Sequence, residues 1–241
     1  MLDKENLLQM MKQYMDMDDL SNLSVFKDEY CDDDTHDAVS GTIKVIESIK
    51  SSIEDVKIHE ELIEKAKGYA FTKHDQPSKA QRYGSQPYSK HLIDVMGVAA
   101  KYLYLIRPQD RENVMCGCAL HDTVEDTDTT PNDIKSQFNY VVADLVYRVS
   151  NERGLSKKEI MFKTLPKIWE NELAIFIKLS DRIANGTNSK MRIDAKSETI
   201  YNRYLEEYPI FRYALRIKDK SGNILYSEMW TELDEIFEYS L

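Results

Sequence analysis

The chain has 241 residues, 42% hydrophobic and 10% aromatic, enough to bury one sizeable core. A net charge of −10 and a pI near 5.1 repel polyanions at long range, so a nucleic-acid partner is not expected. No apolar run reaches the about 18 residues of a membrane span, and the N-terminus, MLDKENLLQMMKQYMDMDD, is acidic and amphipathic rather than basic then apolar, so neither a membrane partner nor secretion is expected.

With only 8 Gly and 6 Pro the chain holds few breakers, and apolar residues recur at helical spacing, which predicts a mostly helical, all-α fold. The acidic stretch FKDEYCDDDTHD (Phe26 to Asp37) reads as a solvated loop, and residues 1–55 are expected to form a helical, acidic extension ahead of a main domain at 56–241. Within the extension, Ile43, Val45, Ile46 and Ile49 share a helical face. Ile63, Ala66, Tyr69 and Ala70 mark the next helix, and Leu92, Val95, Met96 and Ala99 another, with His91 at its head. A helix beginning near residues 109–113 runs through VMCGCAL toward His121, and Thr130-Pro131-Asn132-Asp133 starts the one after it. ELAIFIKLSDRIANG reads as a buried helix with Asp181 and Arg182 at its end. Near the C-terminus, YALRIKDKSGNILYSEM predicts a short β-hairpin turning at Lys220-Ser221-Gly222-Asn223. Cys31, Cys116 and Cys118 make neither a CxxC pair nor an even disulfide framework, so they read as small core residues in a reducing cytoplasm.

The stretch ALHDTVEDTDTT (Ala119 to Thr130) places one histidine and four carboxylates in twelve positions directly after an apolar run. If the helix continues through it, His121 and Glu125 share a face, as do Asp122 and Asp126. Unpaired carboxylates buried together would cost several kcal/mol or shift their pKa upward. A divalent cation removes that penalty. Taken alone, the stretch also reads as a solvated helix end followed by a capped loop. His91 and Asp181, brought from other helices, shift the weight toward a hard or borderline metal such as manganese, iron, zinc or magnesium.

RYGSQPYSKHL, ALHDTVEDTDTT and IKLSDRIANG, in that order, resemble the three successive motifs of the HD-domain hydrolases of the RelA/SpoT type, closest in layout to the small stand-alone hydrolases related to the metazoan SpoT homologue. The resemblance covers about residues 66–187, with weaker support from KHDQ at Lys73 to Gln76 and FRYALR…MWTELDEI near the C-terminus. It implies the helical HD-domain fold, with His91, His121, Asp122 and Asp181 ligating one metal ion, manganese in that family. It also implies that Glu125 and Asp126 orient the attacking water. The implied reaction is hydrolysis of the 3′-pyrophosphate of guanosine tetra- and pentaphosphate, the alarmones of the stringent response, giving GDP or GTP and pyrophosphate.

The sequence departs from the family at three places. The basic stretch before Pro87-Tyr88 is reduced to Lys79 and Arg82, Leu92 stands where a proline usually follows the histidine, and Ala184 replaces a histidine before Asn185. On the substrate side Lys79 and Arg82 are candidate phosphate partners, Ser85 a candidate for the pocket wall and Asn185 for the nucleotide. Tyr88 reads as packing, His74 as structural, His36 and His59 as surface, and Lys178 as snorkelling or paired with a carboxylate. Two alternatives stand beside the alarmone hydrolase: the same apparatus acting on another phosphorylated nucleotide such as NADPH, and a non-catalytic nucleotide-binding regulatory module.

Overall fold

A computed structural model describes residues 60–75, 82–151, 157–192 and 195–239. The expected boundary near residue 55 lies outside them, as do Cys31, His36, His59 and Lys79.

The expected all-α architecture is what the described chain adopts. Helix α1, at 60–74, turns Ala66 and Ala70 inward. A minimal hairpin follows: β1 (Arg82–Tyr83) pairs antiparallel with β2 (Gln86–Pro87). Gly84 stands at φ +65, the left-handed conformation that a two-residue hairpin loop demands at its first position. Next come α2 (Ser89–Tyr102), two 3₁₀ turns, α3 (Arg111–Leu120) and the short α4 (Thr123–Asp126). Helix α5 (Pro131–Gln137) starts where the sequence predicts, with Thr130 and Asp133 closing a reciprocal capping box ahead of Pro131. Helices α6 (Tyr140–Val149) and α7 (Lys157–Trp169) lead to α8 (Glu172–Met191), and α9 (Ala195–Leu215) and α10 (Ser227–Ile236) complete the fold.

Helix α8 is the axis of the packing. The side chain of Asn171 accepts from Leu173 N at 2.9 Å, and from there Ala174, Ile175, Phe176, Ile177 and Leu179 are all fully buried. A helix apolar on every side must be surrounded, and α8 packs against α2, α3, α6, α7, α9 and α10. It does not end at Asp181, as the sequence suggested, but runs ten residues further, so that Asp181 sits at mid-helix. One core gathers around α8 and takes in Tyr208, Phe211, Trp230 and Phe237 from α9 and the C-terminal region, while a second joins α1, α3, α5 and α6 through Ala70, Leu120, Ile134 and Val142.

The predicted C-terminal hairpin is narrower than expected. Residues 213–215 finish α9, leaving an isolated antiparallel bridge between Lys218 and Ile224, a 2.9 Å bond from Leu225 N to Ile217 O, and Gly222 at φ +85 in the turn. No helix among the described residues is long and apolar enough to cross a membrane.

Candidate active site

Three helices deliver the predicted residues to one point. His91 lies in the first turn of α2, His121 and Asp122 form the turn between α3 and α4, and Asp181 projects from the middle of α8. The helix expected to run through the His-Asp pair is interrupted there: α3 ends at Leu120, and Asp122 accepts from Asp126 N at 2.9 Å to open α4.

The two imidazoles face each other with Nε2 atoms 3.2 Å apart. Asp181 Oδ1 lies 3.4 Å from His91 Nε2 and 3.7 Å from His121 Nε2. Asp122 Oδ2 lies 2.9 Å from His121 Nε2 and 3.5 Å from His91 Nε2. His121 Nδ1 bonds the carbonyl of Cys118 at 2.9 Å, which fixes the tautomer with Nδ1–H donating and turns the Nε2 lone pair into the cluster. With His91 2% and His121 1% exposed, these polar atoms are out of water and need partners. His91, His121 and Asp181 offer ligand atoms within 4.8 Å of one another and could hold a metal ion. Two imidazole nitrogens with carboxylate oxygens are a donor set for a borderline or hard divalent cation, so the residues fit the metal that the sequence implied.

The electrostatics agree. Burial works against the charge on Asp122, but His121 and His91 outweigh it and hold the carboxyl well below its usual range. For Asp181 the same burial is overcome chiefly by Lys178, whose Nζ sits 2.9 Å from Oδ2. Burial also favours a neutral His121, yet Asp122 and Asp181 raise it well above the ordinary histidine value. The Lys178 ammonium and the raised proton affinity of His121 thus offset the two carboxylates. Asp126 differs: burial first, then Asp122 and Glu125, push its carboxyl up to about 6.

The cluster opens into a cavity of about 750 Å³. Glu125 and Asp126 line it, and Glu125 is gripped through both oxygens, by Asn151 N at 3.0 Å and Asn151 Nδ2 at 2.9 Å. Arg82 and Asn185 are on the wall, and Asn185 Nδ2 also donates to Asp181 Oδ1 at 2.6 Å. Ser85 is not among the described lining residues; it sits in the β1–β2 turn, where its carbonyl accepts a long 3.5 Å bond from Arg82. Lys178 pairs with a carboxylate, one of the two expected outcomes, and His74 is a buried residue at the end of α1, stacked on the Tyr88 ring at 4.6 Å.

Tyr88 packs against the second core, as expected, and lines the cavity; its hydroxyl in addition donates a short bond to Asp122 Oδ2. Tyr83, Asn151 and Arg192, which belong to none of the three motifs' candidate residues, also line the cavity. The one local signal was Gly84, whose hairpin turn carries Tyr83 into contact with the His91 ring at 4.8 Å.

An all-α fold in which two histidines and two aspartates from three helices converge at the floor of a cavity is the helical HD-domain fold. No protein-family model matches the chain. It is 29% identical over 204 residues to the guanosine-3′,5′-bis(diphosphate) 3′-pyrophosphohydrolase of Aquifex aeolicus (strain VF5), covering 80% of this chain and 28% of that one. To the Drosophila melanogaster enzyme of the same name it is 30% identical over 118 residues, 48% of this chain and 63% of that one. The chain therefore spans less than two thirds of either relative. Among solved structures, a metazoan ortholog of SpoT, described as hydrolysing ppGpp with a role in starvation responses, superposes with a TM-score of 0.59 at 24% identity over 73% of this chain and 94% of that one. In sequence and in fold the chain is similar to ppGpp 3′-pyrophosphohydrolases of the SpoT type.

Proposed function

We propose that the chain is a metal-dependent hydrolase of the 3′-pyrophosphate of guanosine tetra- and pentaphosphate, releasing GDP or GTP and pyrophosphate in the cytoplasm. The observation that carries this is the cluster of buried His91, His121 and Asp181 with half-buried Asp122 at the floor of a nucleotide-sized cavity, with a second acidic pair beside it. The same activity stands in the names of the relatives from Aquifex and Drosophila. Residues 56–241 form the hydrolase domain in this proposal, and residues 1–55 an extension to it.

His91, His121, Asp122 and Asp181 would hold the ion, manganese by resemblance. When bound, such an ion acidifies water and offsets charge on phosphoryl oxygens. Glu125 takes the proton of the attacking water, and the two bonds from Asn151 leave its carboxylate one orientation in which to do so. Asp126, one residue on, orients that water. Asp181 is kept ionised by Lys178 and aimed by Asn185, while Asp122 is aimed by Tyr88. Arg82 and Asn185 are the substrate-side contacts supported by position, with Lys79 and Ser85 further candidates. Nothing in the site favours NADPH or a purely regulatory role.

The test is pyrophosphate release from guanosine tetraphosphate by metal-stripped protein with and without manganese, with Asp181→Ala as the blank. Manganese-dependent release absent from the blank is the expected result. No release from protein shown to bind manganese would overturn the substrate assignment.

A further inference from the structure

The two imidazoles of the cluster are held in different ways. His121 Nδ1 has the Cys118 carbonyl at 2.9 Å, so that ring cannot turn without breaking a bond. His91 has no such tie: its Nδ1 is buried and finds no hydrogen-bond partner among the described residues. A ligand histidine normally fixes its ring through this second nitrogen. The torsion that turns an imidazole is broad and is not set by the backbone, so the orientation of His91 needs another source.

Aromatic rings supply it. The His91 ring has its centroid 4.8 Å from that of Tyr83, 5.3 Å from Tyr88 and 5.1 Å from His121, all distances of paired rings. Tyr88 and His121 meet it edge to face, at 65° and 68°, whereas Tyr83 lies most nearly along its face, at 38°. A ring that turns sweeps its edge through the space beside its own face, so the neighbour lying there resists the turn most. Tyr83 is itself tethered at its far end. Its hydroxyl donates a long 3.5 Å bond to the Ala184 carbonyl and is bonded by the side chain of Asn188. Ala184 and Asn188 are one turn apart on α8, the helix that bears Asp181. Through Tyr83 the orientation of His91, on α2, is thus referred to the helix that carries the opposing carboxylate.

We propose that Tyr83 is the positioning residue of His91: its ring, anchored on α8, takes the place of the missing Nδ1 bond and keeps Nε2 turned toward His121 and Asp181. This rests on the proposed metal site, for which His91 is one of the ligands. The ring does the work, and the hydroxyl only steadies it.

The experiment compares wild type, Tyr83→Phe and Tyr83→Leu in the full chain by two measurements. Calorimetric titration with manganese should show binding weakened about tenfold or more in Tyr83→Leu, the usual cost of losing support for a ligand histidine, and by less than about threefold in Tyr83→Phe, which keeps the ring. An unchanged affinity in Tyr83→Leu, or an equal loss in both variants, would overturn the assignment. The second measurement is NMR of the histidine ring resonances in chelated protein. His91 should give one sharp set in wild type and Tyr83→Phe and a broadened or doubled set in Tyr83→Leu, while His121, still bonded to Cys118, stays sharp in all three. A His91 ring as well ordered in Tyr83→Leu as in wild type, or one that loosens only together with His121, would overturn it. If wild type binds no manganese, the metal site fails and the order of the His91 ring alone decides the role of Tyr83.

Discussion

Replacing Lys178 by methionine keeps an unbranched aliphatic stem of similar length in the wall of α8 and removes only the charge. That ammonium is 2.9 Å from Asp181 Oδ2, and its side chain is 14% exposed against 9% for Asp181. Breaking a buried pair by removing one partner costs about 3–5 kcal/mol. His91 and His121 still face the other Asp181 oxygen, so the lower end, about 3 kcal/mol, applies here. For a domain of this size that corresponds to a fall in Tm of about 6–12 °C. With a divalent ion in the cluster the orphaned carboxylate regains a cation, and the loss should shrink to about 1 kcal/mol. By linkage, the difference of about 2 kcal/mol appears as manganese binding about thirtyfold tighter in the variant than in the wild type. Thermal melts of both proteins with chelator and with manganese, together with calorimetric titration, measure each quantity. An equal fall in Tm under both conditions, or weaker manganese binding by Lys178→Met, would refute the placement of Lys178 as a stand-in for the metal.

Glu125→Gln should keep manganese binding and slow pyrophosphate release by about a hundredfold or more, as for a lost general base; turnover at the wild-type rate would remove Glu125 from that role. Tyr88→Phe deletes the bond to Asp122 and should weaken manganese affinity by about tenfold or more with the circular dichroism unchanged, and an unaltered affinity would show that Asp122 needs no such support. Metal-free protein should melt highest near about pH 5. His121, with its pKa raised in the fold, contributes fully below about pH 6.5 and loses that contribution as pH rises through its folded value. Asp126, raised to about 6, adds a penalty that builds as pH climbs from the ordinary carboxylate range to that value and is complete above it. Asp122 and Asp181, both lowered, lose their contribution only as pH falls below the ordinary carboxylate range. A Tm of chelated protein that rises steadily from pH 5 to pH 8, in melts at matched ionic strength, would contradict these assignments (about three units of pH span the relevant titrations).

Those residues whose chemistry is carried by local spacing were legible. The His121-Asp122 pair, the imidazole heading the helix at Ser89–Tyr102, and the capped start at Thr130 all follow from neighbours within one turn. What was misplaced depended on how far a helix continues. Asp181 looked like a terminus because the apolar run stops at Leu179, yet the helix persists because the buried residues beyond it, Ile183, Ala184 and Gly186, still pack. The hairpin at Arg82–Pro87 was missed because two-residue strands have no alternation to detect. Contacts between distant segments were out of reach altogether. Tyr88 meets Asp122 across 34 residues, and Asn151 meets Glu125 across 26, and neither pairing leaves a periodic trace.

The residue that anchors the cluster stands on the helix about which everything else is packed. Asp181 is borne by α8, whose flanking residues Phe176, Ile177, Leu179 and Ile183 are buried in the main core. Its amides therefore exchange with solvent only through the largest openings, those approaching global unfolding. If the cluster holds an ion as proposed, its capture and domain folding share one cooperative unit: loading the site should slow amide exchange throughout α8, and loosening the core behind Asp181 should release the ion.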